Sequence, residues 1–161
     1  MIERWGAFFE VQVGASASLL GLVFVGLSIN FARIIGSSYL PNRALEAMTL
    51  LLLNMALAML FLVPGQALRL FGVEVFALST VVWVSVSVLH LHNYRQVEAV
   101  HKRKSLVGTG LGQLAAISWW VSGAVLFFDG EAGLYWLVPS FLLSYLLALL
   151  NAWVLLVEIN R

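Results

Sequence analysis

Cysteine is absent from the chain, which removes disulfide scaffolds, thiolate nucleophiles and Cys-ligated metals together. Charge is scarce as well. Asp, Glu, Lys and Arg make up 11% of the 161 residues, against about a quarter in soluble domains. So few charges cannot wet the surface of a water-soluble fold. The 9 basic and 8 acidic residues leave a formal charge of +1, far from the dense basic footprint that a nucleic-acid partner requires. The first apolar run is too long for the core of a secretion signal and no basic segment precedes it, so no cleavable leader is expected. The longest polar stretch surrounds His92–Lys104 and is too short for a soluble domain.

Apolar residues fill the space that charge leaves: 61% of the chain is hydrophobic and the mean hydropathy is +0.96. Lipid is the solvent that fits. A spanning helix needs about 20 apolar residues to cross a hydrocarbon core of about 30 Å. Five stretches free of Asp, Glu, Lys and Arg reach that length: 11–32, 47–68, 75–94, 105–128 and 132–157. In lipid each backbone amide must be satisfied within its own segment, so these runs read as helices. The expected fold is all-α, one transmembrane domain over 1–161, a polytopic bundle of about five helices. Pro41 suits the first turn of the second helix, and Pro64-Gly65 suits its end. Asp129 to Gly133 reads as a tight polar turn. Pro139 implies that the last helix either starts near Val138 or is kinked there.

Five alternating spans divide the basic residues unequally. Arg33, Arg43, Arg95, Lys102, Arg103, Lys104 and Arg161 fall on one side, Arg4 and Arg69 on the other. Cytoplasmic loops retain Lys and Arg, which predicts an outer N-terminus and a cytoplasmic C-terminus. Glu3, Glu10, Glu74, Asp129 and Glu131 then lie outside. Trp5, Phe8, Phe9, Phe71, Phe127, Phe128, Tyr135 and Trp136 are placed at the outer interface, and Phe31, Tyr39, Tyr94 and Trp153 at the inner one. The Lys102–Lys104 cluster is expected to meet anionic lipid head groups.

The first span carries the clearest pattern. At 100° per residue, Glu10, Gly14, Ala17, Ser18, Gly21, Val25, Ser28 and Ala32 share one face of mostly small residues. Small faces let backbones approach closely and so associate in membranes. The partner is either a neighbouring helix of the same chain or another subunit, or the face lines a narrow pore. Gly108 and Gly112 form a GxxxG pair, read as a packing contact. Asn30, Gln113 and Asn151 all fall in the cytoplasmic half, where they form a candidate polar cluster, either as structural glue or as a constriction. Glu10 and Glu74 are candidates for an outer mouth.

Other chemistry finds little footing. The charge-free runs hold no carboxylate, Lys or Arg at mid-membrane, which disfavours coupled transport, and no internal repeat is visible. His90 and His92 are two apart and point in different directions on a helix; Glu98 and His101 are better spaced, but two ligands make a weak site. No Ser–His–Asp set or carboxylate pair can be assembled within the membrane. No catalysis, cofactor or metal is expected.

The words GASASLLGLVFVGLSINFARI (14–34), LVPGQ (62–66) and WVLLVEI (153–159) resemble a family of small bacterial polytopic membrane proteins with no activity attached. The resemblance implies a prokaryotic plasma membrane and carries over no site residue. The expected function is a homo-oligomeric passive channel or pore with mild cation preference, its first helix near the symmetry axis. A different expectation is an accessory subunit packed against a larger membrane protein, with a sealed core and its amides buried as glue.

Overall fold

The computed structural model describes residues 2–37, 40–96 and 102–156; of these, 2–4, 90, 92–96, 102–109 and 111 are described by backbone alone. The described chain is helical almost throughout: α1 (Ile2–Ile29), α2 (Phe31–Ile35), α3 (Leu40–Phe61), α4 (Leu68–Gln96), α5 (Lys102–Asp129) and α6 (Glu131–Leu156). Among the described residues four stretches, Trp5–Ile29, Leu40–Phe61, Leu68–Leu89 and Glu131–Leu156, are long and apolar enough to cross a membrane. The fifth long helix, α5, packs between α4 and α6.

The helix bounds differ from the charge-free runs for local reasons. α1 and α2 are separated at Asn30, whose backbone leaves the helical region (φ −104°, ψ 15°). Its side-chain Nδ2 donates to the Gly26 carbonyl at 3.3 Å and the Leu155 carbonyl at 3.5 Å, while its backbone N–H still donates to the Gly26 carbonyl at 3.2 Å. α3 begins seven residues before its run, because Pro41 is tolerated in a first turn and Leu40, Ala44 and Glu46 face inward. The absence of charge marks where lipid begins, whereas a helix begins where backbone geometry permits. α3 also ends early, at Phe61. Leu62 and Val63 donate to Met59 and Leu60, three residues back, and Gly65 then turns the chain at φ +77°. Between α5 and α6 the polar turn shrinks to one residue, Gly130 at φ +56°, a conformation open to glycine at little cost. α6 starts at Glu131 and runs through Pro139 without stopping, so the alternative start near Val138 is not the one taken.

Four helices, α3, α4, α5 and α6, close a ring in which each touches two neighbours, and α1 lies in the outer groove between α3 and α6. One end of the bundle is locked by aromatic rings. Phe9 of α1 stacks on Phe61 of α3 at 3.9 Å between centroids, and meets Phe71 and Phe141 edge-on at 6.1 Å. Trp119 meets Phe141 at 5.0 Å. Each such pair contributes about 0.5–1.5 kcal/mol beyond its area. Phe9 and Phe71 are therefore core residues with no exposed surface, not members of an interfacial belt; Phe127, Phe128, Tyr135 and Trp136 remain exposed. At the opposite end, Ile34, Leu40, Ala44 and Leu155 pack together.

Close backbone approach tightens the ring. A Cβ added at Gly123 would lie 3.0 Å from the Gly72 carbonyl oxygen, and one at Gly72 would lie 2.8 Å from the Phe127 nitrogen. At Gly133 it would collide with the Leu126 backbone. These contacts bring α4, α5 and α6 together. Gly133→Ala is expected to lower stability by about 1–3 kcal/mol through overpacking, whereas Gly14→Ala, with nothing within 4 Å, should leave the melting temperature in detergent unchanged or slightly raised. Equal losses in the two variants would refute this division of roles.

Candidate functional site

α1 presents two different faces. Its inward face carries Phe9, Ser16, Val23 and Gly26, all buried, with Gly26 placed against Leu156. A polar clasp anchors this face to α6. Tyr145 has one hydroxyl proton, which it donates to Gln12 Oε1 at 2.6 Å, so Ser16 Oγ donates to the Tyr145 oxygen at 2.7 Å. Interhelical bonds of this kind contribute on the order of 1 kcal/mol each in a membrane. The outward face is the one with the small residues. Glu10, Gly14, Ala17, Ser18, Gly21, Val25 and Ser28 are all exposed, and a Cβ at Gly14 or Gly21 would meet nothing within 4 Å. The intramolecular-packing alternative for this face is not realised.

The candidate amide cluster is dispersed over different partners. Asn30 bonds to backbone carbonyls of α1 and α6. Gln113 Oε1 accepts from Trp83 Nε1 at 2.5 Å, and Gln113 Nε2 donates to Ser87 Oγ at 3.4 Å. Asn151 is buried and its Nδ2 has no hydrogen-bond partner. Asn54, 0% exposed in the middle of α3, leaves both its amide atoms without a partner, a condition that costs about 1–3 kcal/mol for each buried group. Of the two mouth candidates, Glu10 is exposed on α1, while Glu74 Oε2 accepts a 2.6 Å bond from Gln66 in the preceding turn.

The ring helices are stitched by indole and hydroxyl groups. Trp119 donates to Ser144 at 3.0 Å, and Trp120 donates to Thr80 at 3.1 Å. Ser118, Ser122 and Ser140 form a chain of hydroxyls between α5 and α6 at 2.8 and 3.1 Å. Each N–H of Trp83, Trp119 and Trp120 thus finds an acceptor on another helix.

Sequence reading missed one chemically significant residue. Glu46 is 6% exposed, on the wall of a cavity of about 20 Å³ between α3, α4 and α5. Ser79, Trp83, Gly112, Gln113 and Trp119 share that wall, along with aliphatic side chains. The charge-free criterion placed Glu46 just outside the second span. The available signal was Pro41: a helix starting there carries Glu46 roughly 7.5 Å along its axis at about 1.5 Å per residue. Leu50, Leu53 and Leu57 then continue the same buried face.

Among the described residues no group of three or more His, Asp or Glu could hold a metal ion. His101, Glu98 and Arg161 lie outside the described residues, and the side chains of His90, His92, Tyr94, Arg95 and Lys102 to Lys104 belong to the part described by backbone alone. No protein-family model, curated protein or solved structure matches the chain.

The two neighbouring tryptophans of α5 are expected to respond differently to substitution. Trp119→Phe strands Ser144 and opens space in the core, for a loss of about 2–4 kcal/mol. Trp120→Phe should cost less than half as much, because Trp120 is only half-buried and Thr80 retains its own bond to the Phe76 carbonyl at 2.7 Å. Thermal melts of the purified variants decide, and a reversed order would show the indole bonds to be incidental.

Proposed function

We propose that this chain is a bacterial inner-membrane protein that works as a symmetric homo-oligomer, assembled on the bare face of α1 around a narrow passive pathway. The reading takes all five long helices as spans, with the N-terminus outside and the C-terminus in the cytoplasm. One observation carries it. The only long face of small residues in α1 points away from its own bundle, so it is available to a second copy. In lipid, small residues are what allow two backbones to approach within van der Waals contact. The pathway in this reading runs between copies, along the axis that α1 surrounds. Exposed Ser18 and Ser28 give that axis hydroxyl groups, and a ring of Glu10 carboxylates at the outer end favours cations there. The chain itself performs no chemical step, and its remaining contacts are with lipid.

The rival reading, an accessory subunit on a larger membrane protein, gains from the same sealed interior. Amides held by Trp83, Ser87 and backbone carbonyls are glue in that case, and α1 would then face a helix of the partner.

Native mass spectrometry from nanodiscs separates the two. A homo-oligomer of three or more copies is expected; a monomer, or a fixed-ratio complex with a larger protein, would transfer the α1 face to the accessory reading. Gly21→Leu should dissociate the oligomer while leaving the melting temperature of the monomer nearly unchanged, since among the described residues a Cβ at Gly21 meets no neighbour within 4 Å; an intact oligomer removes α1 from the interface. Glu10→Gln should reduce cation-over-anion selectivity in liposome flux by severalfold, and unaltered selectivity would exclude Glu10 from a mouth.

A further inference from the structure

A fully buried amide is costly unless some arrangement of the chain satisfies it, and neither amide atom of Asn54 has a partner. The surroundings of Asn54 follow from the register of α1 on α3. Phe9 stacks on Phe61, and Val23 clusters with Ala47 and Leu51, so the two helices run antiparallel. Ser16 stands seven residues from both Phe9 and Val23, and Asn54 seven from both Phe61 and Ala47. Ser16 and Asn54 therefore share one layer, midway between the two contacts. At 100° per residue, Ala47, Leu51, Asn54, Ala58 and Phe61 fall within about 80° of one another. Asn54 thus lies on the stripe of α3 that meets α1 and α6. Tyr145 of α6 packs against both clusters that bracket this layer, which sets Asn54 level with the clasp of Gln12, Ser16 and Tyr145. Ser144, the neighbouring hydroxyl on α6, already accepts from Trp119.

One hydroxyl proton on Tyr145 now has two side-chain carbonyls in its layer. Given to Gln12, as in this structure, it leaves Asn54 unpaired. Given to Asn54 Oδ1, it lets Asn54 Nδ2 donate to Ser16 Oγ, which retains a lone pair, and it frees Gln12. Neither arrangement satisfies both amides, so neither is favoured by a whole hydrogen bond, and two populated states are the expected result. Exposure separates the two residues. Gln12 is half-buried on the flank of α1 and can find a partner outside the bundle, whereas Asn54 is fully enclosed.

We infer that Asn54 is the second station of a two-position clasp, in which the Tyr145 hydroxyl passes from Gln12 on α1 to Asn54 on α3. The move releases the seam between α1 and α6 at this layer while α6 stays tied to α3. α1 remains held on either side of the layer, by Phe9 on Phe61 and by Gly26 against Leu156. The switch lies inside each chain, so it is independent of whether copies associate.

A double-mutant cycle on the full chain in detergent, read by thermal melting, tests this. Gln12→Ala should lower the melting temperature at least twice as far in an Asn54→Leu background as in the wild type, where Asn54 takes over the hydroxyl. Repeated in Tyr145→Phe, the two losses should be equal. Equal losses with Tyr145 present would overturn the inference, and would leave Asn54 to a bound water or to no partner. Where Asn54→Leu fails to fold, the side-chain amide resonance of Asn54 decides, in protein labelled at asparagine with heavy nitrogen. It should shift in Gln12→Ala, and an unshifted resonance would overturn the inference.

Discussion

Two helices in hydrocarbon gain nothing by hiding leucine from lipid, since leucine is equally at home in both. What remains to hold a bundle together is close contact and the satisfaction of polar groups, and this structure is organised around those two demands. Glycines at 72, 123 and 133 bring α4, α5 and α6 to near backbone contact. Indole and hydroxyl pairs then cross the gaps: Trp83 to Gln113, Trp120 to Thr80, Trp119 to Ser144. At the other seam, Tyr145 fastens α1 through Gln12 and Ser16. In the aromatic cluster around Phe9, bulk and not smallness makes the contact.

That solvent also decides what a sequence of this kind discloses. The long helices were legible, because a run without charge is a direct statement about lipid, and each of the five runs overlaps one long helix. Which side of each helix faces inward was not. In a soluble protein polarity separates core from surface, but here both sides are apolar and the distinction rests on shape. Phe9 and Phe71 were therefore assigned to an interfacial belt although they are wholly buried. The close approach of Gly72 and Gly123 was not legible either, because the two are distant in sequence. Glu46 is illegible from charge alone, because absence of charge marks where lipid begins, whereas α3 begins earlier, at Leu40.

The small residues of α1 are a different case. Their alignment on one face could be read from spacing alone, and the structure adds that the face is bare. The opposite face of α1 supplies its affinity for the bundle through Phe9, Val23 and the Tyr145 clasp. Division of labour between two faces of one helix lets α1 belong to its own bundle through one face and leave the other uncovered. Asn54 stands apart from this economy: a fully buried amide with no partner is a feature for which the packing gives no compensation.

The single-residue link at Gly130 has a consequence for biogenesis. A hairpin whose two arms are joined by one glycine carries almost nothing polar at its tip beyond Asp129 and Glu131. With α5 and α6 both as spans, bringing that tip across a bilayer requires dehydrating only two carboxylates, at about 3 kcal/mol or less each on insertion scales. So short a link leaves the two arms no separation at that end, where Gly133 lies directly against Leu126.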